Sequence, residues 1–169
     1  MVKIAGEPLV ILLVEDNDAH AELVLRSMKD NRVANIIYFA DDGEKALDFL
    51  FHRGPYKEMI TSPRPNLILL DLRLPRVDGL EVLKTIKETP HLMQIPVVIL
   101  TSSDAETDIA RSYKYHANSY VVKPLEFKKF TQLMNDIGGY WLGWNTVPLH
   151  DLDKEIPAIE NKEQPIIKL

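Results

Sequence analysis

Glu15, Asp16 and Asp71 offer carboxylates, Thr101 a hydroxyl and Lys123 an amine, and each stands at the end of a short apolar run. Leu9 to Val14 runs into Glu15-Asp16, Leu67 to Leu70 into Asp71, Val97 to Leu100 into Thr101, and Tyr120 to Val122 into Lys123. An aspartate alone in such a place is more often a turn former than a reactive group. Company changes that. Three carboxylates brought together repel one another unless a cation sits between them. Oxygen-only ligands with room for water suit Mg2+ better than zinc or copper. A hydroxyl and a lone ammonium beside that metal suit a phosphoryl group, the first as a hydrogen-bond donor and the second as a point charge. Asp71 can then act as a nucleophile and carry the group as an aspartyl-phosphate. The metal and Lys123 would neutralise charge in the transition state, which is most of what phosphoryl transfer requires.

Those groups converge only if the apolar runs are neighbouring strands. Unbroken runs of this kind suit strands buried on both faces of a parallel sheet. Pro63 and Pro65 before Leu67, and Pro75 after Asp71, leave no room for a helix there. Between the strands lie helical patterns. Asn17 or Asp18 caps a helix through about Lys29, Glu44 to Phe51 forms a short one, and Leu80 to Glu88 is ended by Pro90. A fourth helix is predicted over Ala105 to Tyr115. The last begins near Leu125, and past Gly138-Gly139 its apolar pattern resumes at Tyr140-Trp141-Leu142. Ile36 to Ala40 is the second strand and Asn118 to Val122 the fifth.

The β-α unit thus repeats five times. With right-handed crossovers it gives an α/β fold: a (βα)5 doubly wound parallel sheet in strand order 2-1-3-4-5, helices on both faces. Strands one, three, four and five are then consecutive, and their reactive ends share the edge where ligands bind in such sheets. Residues 1–8 form an N-terminal extension, 9–147 the domain, and 148–169, polar and proline-punctuated, an extended or flexible tail. The loop from His52 to Pro65 is longer than a compact domain needs and reads as a tolerated insertion ahead of a partner-contact loop.

Composition bounds the rest. The 169 residues include no Cys, which removes disulfides, zinc–thiolate sites and thiol nucleophiles and fits a reducing cytoplasm. A net charge of -5 argues against bulk nucleic-acid binding. No apolar run reaches membrane-spanning length, and Met1 to Pro8 lacks signal-peptide form. No Gly-rich phosphate loop follows any strand, so dinucleotide and P-loop readings fail.

The motifs Leu12-Leu13-Val14-Glu15-Asp16-Asn17, Leu69-Leu70-Asp71-Leu72-Arg73-Leu74-Pro75 with Asp78-Gly79, Leu100-Thr101-Ser102, and Tyr120-Val121-Val122-Lys123-Pro124 together resemble the receiver domain of two-component response regulators, over roughly residues 8 to 145. The resemblance implies a flavodoxin-like receiver in which Asp71 is the phospho-acceptor. Glu15 and Asp16 would position Mg2+ with Asp71 and the backbone carbonyl of Arg73. Thr101 would be the switch hydroxyl, Lys123 the phosphate-contacting lysine and Tyr120 the aromatic that rotates with Thr101. It also implies a cis Lys123-Pro124 bond.

A narrower resemblance is to the small cytoplasmic regulators paired with bacterial and cyanobacterial phytochrome histidine kinases. It rests on the long His52 to Pro65 loop, Pro75-Arg76-Val77-Asp78-Gly79, Ala117-Asn118-Ser119-Tyr120 and the aromatic end Tyr140-Trp141-Leu142 with Trp144. Such regulators are receiver-only and dimerise through the last helix and strand five. The implied partners are a sensor histidine kinase and a second copy, bound through the fourth helix, strand five and last helix with Trp141 and Trp144. Neither nucleic acid nor membrane is implied. The competing reading is a Mg2+-dependent phosphatase or phosphotransferase with an aspartyl-phosphate intermediate. Such enzymes often carry a second Asp two residues past the nucleophile, where this chain has Arg73, so the expectation is a switch and not an enzyme. The five histidines show no ligand spacing and receive no metal or phospho-donor role.

Overall fold

The structure is a computed structural model and describes residues 8–30, 35–58, 62–146 and 166–169. The predicted N-terminal extension up to residue 7, residues 59–61 of the long loop, residue 147 at the end of the predicted domain, and the predicted tail over 148–165 lie outside the described residues. Strands are β1 (Leu9–Val14), β2 (Asn35–Ala40), β3 (Leu67–Leu70), β4 (Val97–Thr101), β5 (Ser119–Val122) and β6 (Ile166–Lys168). Helices are α1 (Asp18–Lys29), α2 (Gly43–Leu50), α3 (Gly79–Glu88), α4 (Glu106–Lys114) and α5 (Phe127–Gly138), the last continued by a π-helical stretch at Gly139–Trp144.

All strand pairs are parallel, in the order β5-β4-β3-β1-β2-β6. The predicted order 2-1-3-4-5 is therefore present, and the count of five strands is corrected to six. Ile166–Lys168 pairs with Ile37 to Phe39, and the Leu169 amide donates to the Phe39 carbonyl at 2.8 Å. The added strand satisfies backbone groups that β2 would otherwise leave open along its edge.

Alternate residues of each central strand feed opposite cores. Ile11 and Leu13 of β1 join Leu67 and Leu69 of β3 under α1 and α5, against Val24, Met28, Phe130 and Met134. Leu12 and Val14 join Ile68 and Leu70 under α2 and α3, against Ala46, Leu50, Leu83 and Ile86. That two-sided burial is why the runs are apolar at every position rather than every second one. Side-chain caps start three helices: Asn17 accepts from the His20 amide, Asp42 from Lys45 and Asp78 from Leu80.

Strand register is pinned where β1 enters the sheet. The Asn66 amide donates to the Val10 carbonyl at 2.7 Å, and the Asn66 side-chain oxygen accepts from the Val10 amide at 2.8 Å. Val10 is buried, so Asn66→Ala would orphan its N–H. We expect a loss of about 1–3 kcal/mol in urea unfolding. A stability equal to the parent's would mean water replaces the side chain.

The C-terminal aromatics divide. Trp141 is half-buried against the α1/α5 core, and Trp144 is 85% exposed. Trp141 thus packs partly against the core while Trp144 points to solvent. The Lys123-Pro124 bond is trans, since no described peptide bond is cis. The expected cis bond is corrected; the tertiary amide of an X-Pro bond makes the two isomers close in energy.

Candidate phosphoryl-transfer site

Register brings the predicted side chains together. Val14 is level with Leu70, so Glu15 and Asp71 leave adjacent strands side by side, and Thr101 is level with Val122 next to Lys123. Backbone bonds extend the ladder past the strand ends: the Asp71 amide donates to the Val14 carbonyl at 3.0 Å and the Lys123 amide to the Thr101 carbonyl at 2.7 Å. Glu15, Asp71, Thr101 and Lys123 are all buried, whereas Asp16 is exposed.

The Lys123 ammonium bridges the carboxylates. It donates to Asp71 Oδ2 at 2.8 Å and to Glu15 Oε2. Asp71 Oδ1 accepts from the Arg73 amide at 3.2 Å, and the buried Thr101 hydroxyl lies close enough to favour the charged form of Asp71. Glu15 Oε1 accepts from the Asn17 amide at 3.0 Å. Burial alone would raise the Asp71 carboxyl, but the Lys123 hydrogen bond and charge, with the Arg73 and Thr101 donors, hold it below the ordinary carboxylate value. At Glu15 burial wins over the same lysine and pushes the carboxyl up to about 7. One ammonium cannot fully compensate two buried carboxylates, and the better-bonded Asp71 keeps its charge.

Carboxylate oxygens of Glu15, Asp16 and Asp71 lie within 4.8 Å of one another. The donor set is all oxygen, the local charge is negative in excess of Lys123, and Asp16 keeps one side open to solvent. These features fit a hard divalent cation that retains water. Three carboxylates and an ammonium therefore gather at one edge of the sheet, with the Thr101 hydroxyl at the neighbouring strand end, an arrangement that could support nucleophilic capture of a phosphoryl group.

Two side chains reach this region that the sequence did not single out. His20 Nδ1 lies 3.2 Å from Lys123 Nζ, and burial, then the Lys123 charge, lower its pKa. A lowered pKa favours the neutral ring, which can accept a Lys123 N–H through Nδ1; this is a hydrogen-bonding contact and neither a metal nor a phospho-donor role. Its signal was position: a first-turn residue directly after the acidic pair points back to the strand end. Asp108, in the first turn of α4, binds the Arg73 guanidinium at 2.5 Å and the Ser103 hydroxyl at 2.6 Å. Tyr120 takes up an inward position, its hydroxyl donating to the Ser103 carbonyl at 2.8 Å.

Comparison with known proteins adds a family. The response regulator receiver domain family matches residues 11–135. The chain is 46% identical over 145 residues to the probable methanogenesis regulatory protein FilR2 of Methanothrix harundinacea, covering 85% of this chain and 90% of that one. It is 44% identical over 144 residues to response regulator Rcp1 of Synechocystis, covering 85% and 96%. The Mn(2+)-bound crystal structure of Rcp1 superposes with a TM-score of 0.81 over 84% of this chain and 100% of that one. The phosphorylated cyanobacterial phytochrome response regulator RcpA does so with a TM-score of 0.81 at 38% identity, over 85% and 100%.

Proposed function

We propose, because the chain belongs to the response regulator receiver domain family, that it is the phospho-accepting switch of a two-component relay with Asp71 as the acceptor. The observation that carries this is the Asp71 carboxylate held charged by the Lys123 ammonium and the Arg73 amide, beside Glu15 and Asp16 and with the buried Thr101 at the next strand end. The donor class is a histidine kinase. An Asp71 oxygen attacks phosphorus, the P–N bond of the donor phosphohistidine breaks, and the imidazole nitrogen leaves with the electron pair. Glu15, Asp16, Asp71 and the Arg73 carbonyl would hold Mg2+, which when bound neutralises charge on the incoming group. Lys123 moves from bridging carboxylates to contacting phosphoryl oxygens, and His20 keeps its amine at the mouth of the site. Thr101 follows the new oxygens, and Tyr120 turns with the loop after β4.

The finer assignments belong to the same reading. The donor is a phytochrome-type kinase, supported by the likeness to RcpA. The receiver unit spans 9–147. A second copy binds the face of α4, β5 and α5, where Tyr113, Val122, Leu125 and Phe127 are exposed apolar side chains. A cytoplasmic site of action belongs to the same reading, as the place where a histidine kinase donates its phosphoryl group; among the described residues no helix is long and apolar enough to cross a membrane. Turnover as a phosphatase is disfavoured by Arg73 at the position where such enzymes carry an acid-base aspartate.

Intact mass after incubation with acetyl phosphate and Mg2+ tests the reading, with molar mass by light scattering on the same sample. One phosphoryl per chain is expected, with doubling of molar mass. Steady phosphate release without an adduct would favour the enzyme, and no label from either acetyl phosphate or a histidine kinase would overturn the switch.

A further inference from the structure

A line of side chains leads from Asp71 to the start of α4. Arg73 follows the acceptor by two residues and its amide is already on Asp71 Oδ1. Its guanidinium turns away, with Nη2 2.5 Å from Asp108 Oδ2. Ser103 Oγ donates to that same oxygen at 2.6 Å, and the Ser103 amide donates to Thr101 Oγ1 at 3.4 Å. The two partners of the ion pair differ in exposure: the Arg73 side chain is 61% exposed and that of Asp108 8%. Losing the pair therefore costs Arg73 little and leaves Asp108 a poorly compensated buried charge.

The helix end these bonds secure is otherwise weak. Asn17, Asp42 and Asp78 cap α1, α2 and α3 through their side chains, but the N-cap of α4 is Ala105, which offers none. Backbone bonds from Asp108 and Ile109 to the Ala105 carbonyl close the first turn. What ties that turn to the sheet edge is the Asp108 carboxylate, with a longer bond from the Ala105 amide to Ser103 Oγ at 3.4 Å beside it.

We infer that Asp108 is the receiving end of the phosphoryl signal: Arg73 and Ser103 hold it in the unphosphorylated protein, and phosphorylation of Asp71 draws both donors away and frees the first turn of α4. This rests on Asp71 being the acceptor. An aspartyl-phosphate presents about two negative charges and three acceptor oxygens where Asp71 had one charge. It lies two residues from a guanidinium suited to bidentate phosphate binding, so it outcompetes the single Asp108 carboxylate. Thr101 moving to the phosphoryl takes the Ser103 amide, and with it the second donor. The site thereby reports its charge to one face of the molecule without a contact between Asp71 and α4. Asp108 is a positioning residue here and touches no reacting atom.

Hydrogen exchange read on peptides over 103–112 tests this, in the full chain with and without acetyl phosphate and Mg2+, with label measured by intact mass on the same samples. In the unphosphorylated state, Arg73→Ala and Asp108→Asn should each speed exchange of the 105–109 amides by about tenfold, as expected when an anchoring charge-assisted bond is removed. The double variant should exchange no faster than either single one, and Arg73→Lys should keep part of the protection. Phosphorylation should speed the parent by a similar factor and add little to the variants. Full labelling with unchanged exchange over α4, or additive effects in the double variant, would overturn the relay while leaving the acceptor intact. Absence of label in the parent would instead overturn the acceptor reading and the relay with it.

Discussion

Asp71→Asn is expected to take the label from one phosphoryl per chain to none while the fold persists. Asparagine copies the shape of Asp71 and keeps one oxygen to accept from the Arg73 amide, but its amide is no nucleophile toward phosphorus. Removing one member of a buried ion pair commonly costs 3–5 kcal/mol, roughly, because the partner is left unpaired. Lys123 escapes that cost, since its ammonium also donates to Glu15 Oε2 and lies by His20 Nδ1. The variant trades two carboxylates facing one ammonium for one facing one. Thermal unfolding should therefore differ little from the parent, while intact mass after acetyl phosphate shows no adduct. An adduct of the same stoichiometry in the variant would move the acceptor elsewhere, with Glu15 the nearest buried carboxylate.

Much of that site was legible because the topology makes it so. Runs apolar at every position, such as Leu67–Leu70, are buried on both faces, and each ends in a polar group at one sheet edge. Once the order of strands follows from the β-α repeat, convergence of Glu15, Asp71, Thr101 and Lys123 needs no further information. What escaped the sequence depends on helix phase or on contact between distant segments. His20 and Asp108 each lie in the first turn of a helix, and only the angle of that turn decides whether the side chain meets the strand ends or water. Ile166–Lys168 is three residues long, too short for periodicity to register, and becomes a strand only because β2 offers an edge. Trp141 and Trp144, three residues apart on a π-helical stretch, differ by which side of that stretch meets Leu142 and the core.

Gly79 carries the largest expected effect on stability, and its position explains why it also governs the site. A Cβ built there would lie 2.1 Å from the Asp71 carbonyl oxygen, 2.6 Å from Leu72 Cα and 2.9 Å from the Leu72 carbonyl oxygen. All three are backbone atoms, so no side-chain tip can swing aside to make room. The Gly79 amide meanwhile donates to the Leu72 carbonyl at 2.9 Å, fixing the start of α3 against the chain that leaves Asp71. Overpacking costs about 1–3 kcal/mol, occasionally more, and a clash confined to backbone belongs at the upper end. For a chain of this size about 3 kcal/mol lowers Tm by roughly 6–12 °C. Gly139→Ala is the control: nothing lies within 4 Å of its Cβ, and helix propensity alone should leave it as stable as the parent or slightly more so. Gly79→Ala should also slow labelling by acetyl phosphate, because relief of the clash must move the Asp71 and Leu72 backbone and with it the carbonyl of Arg73. Thermal melts and label rates on both variants separate the outcomes. A melt equal to the parent's would show that the loop yields without cost. A large loss of stability with an unchanged label rate would show that the displacement is absorbed by α3, leaving the acceptor where it was.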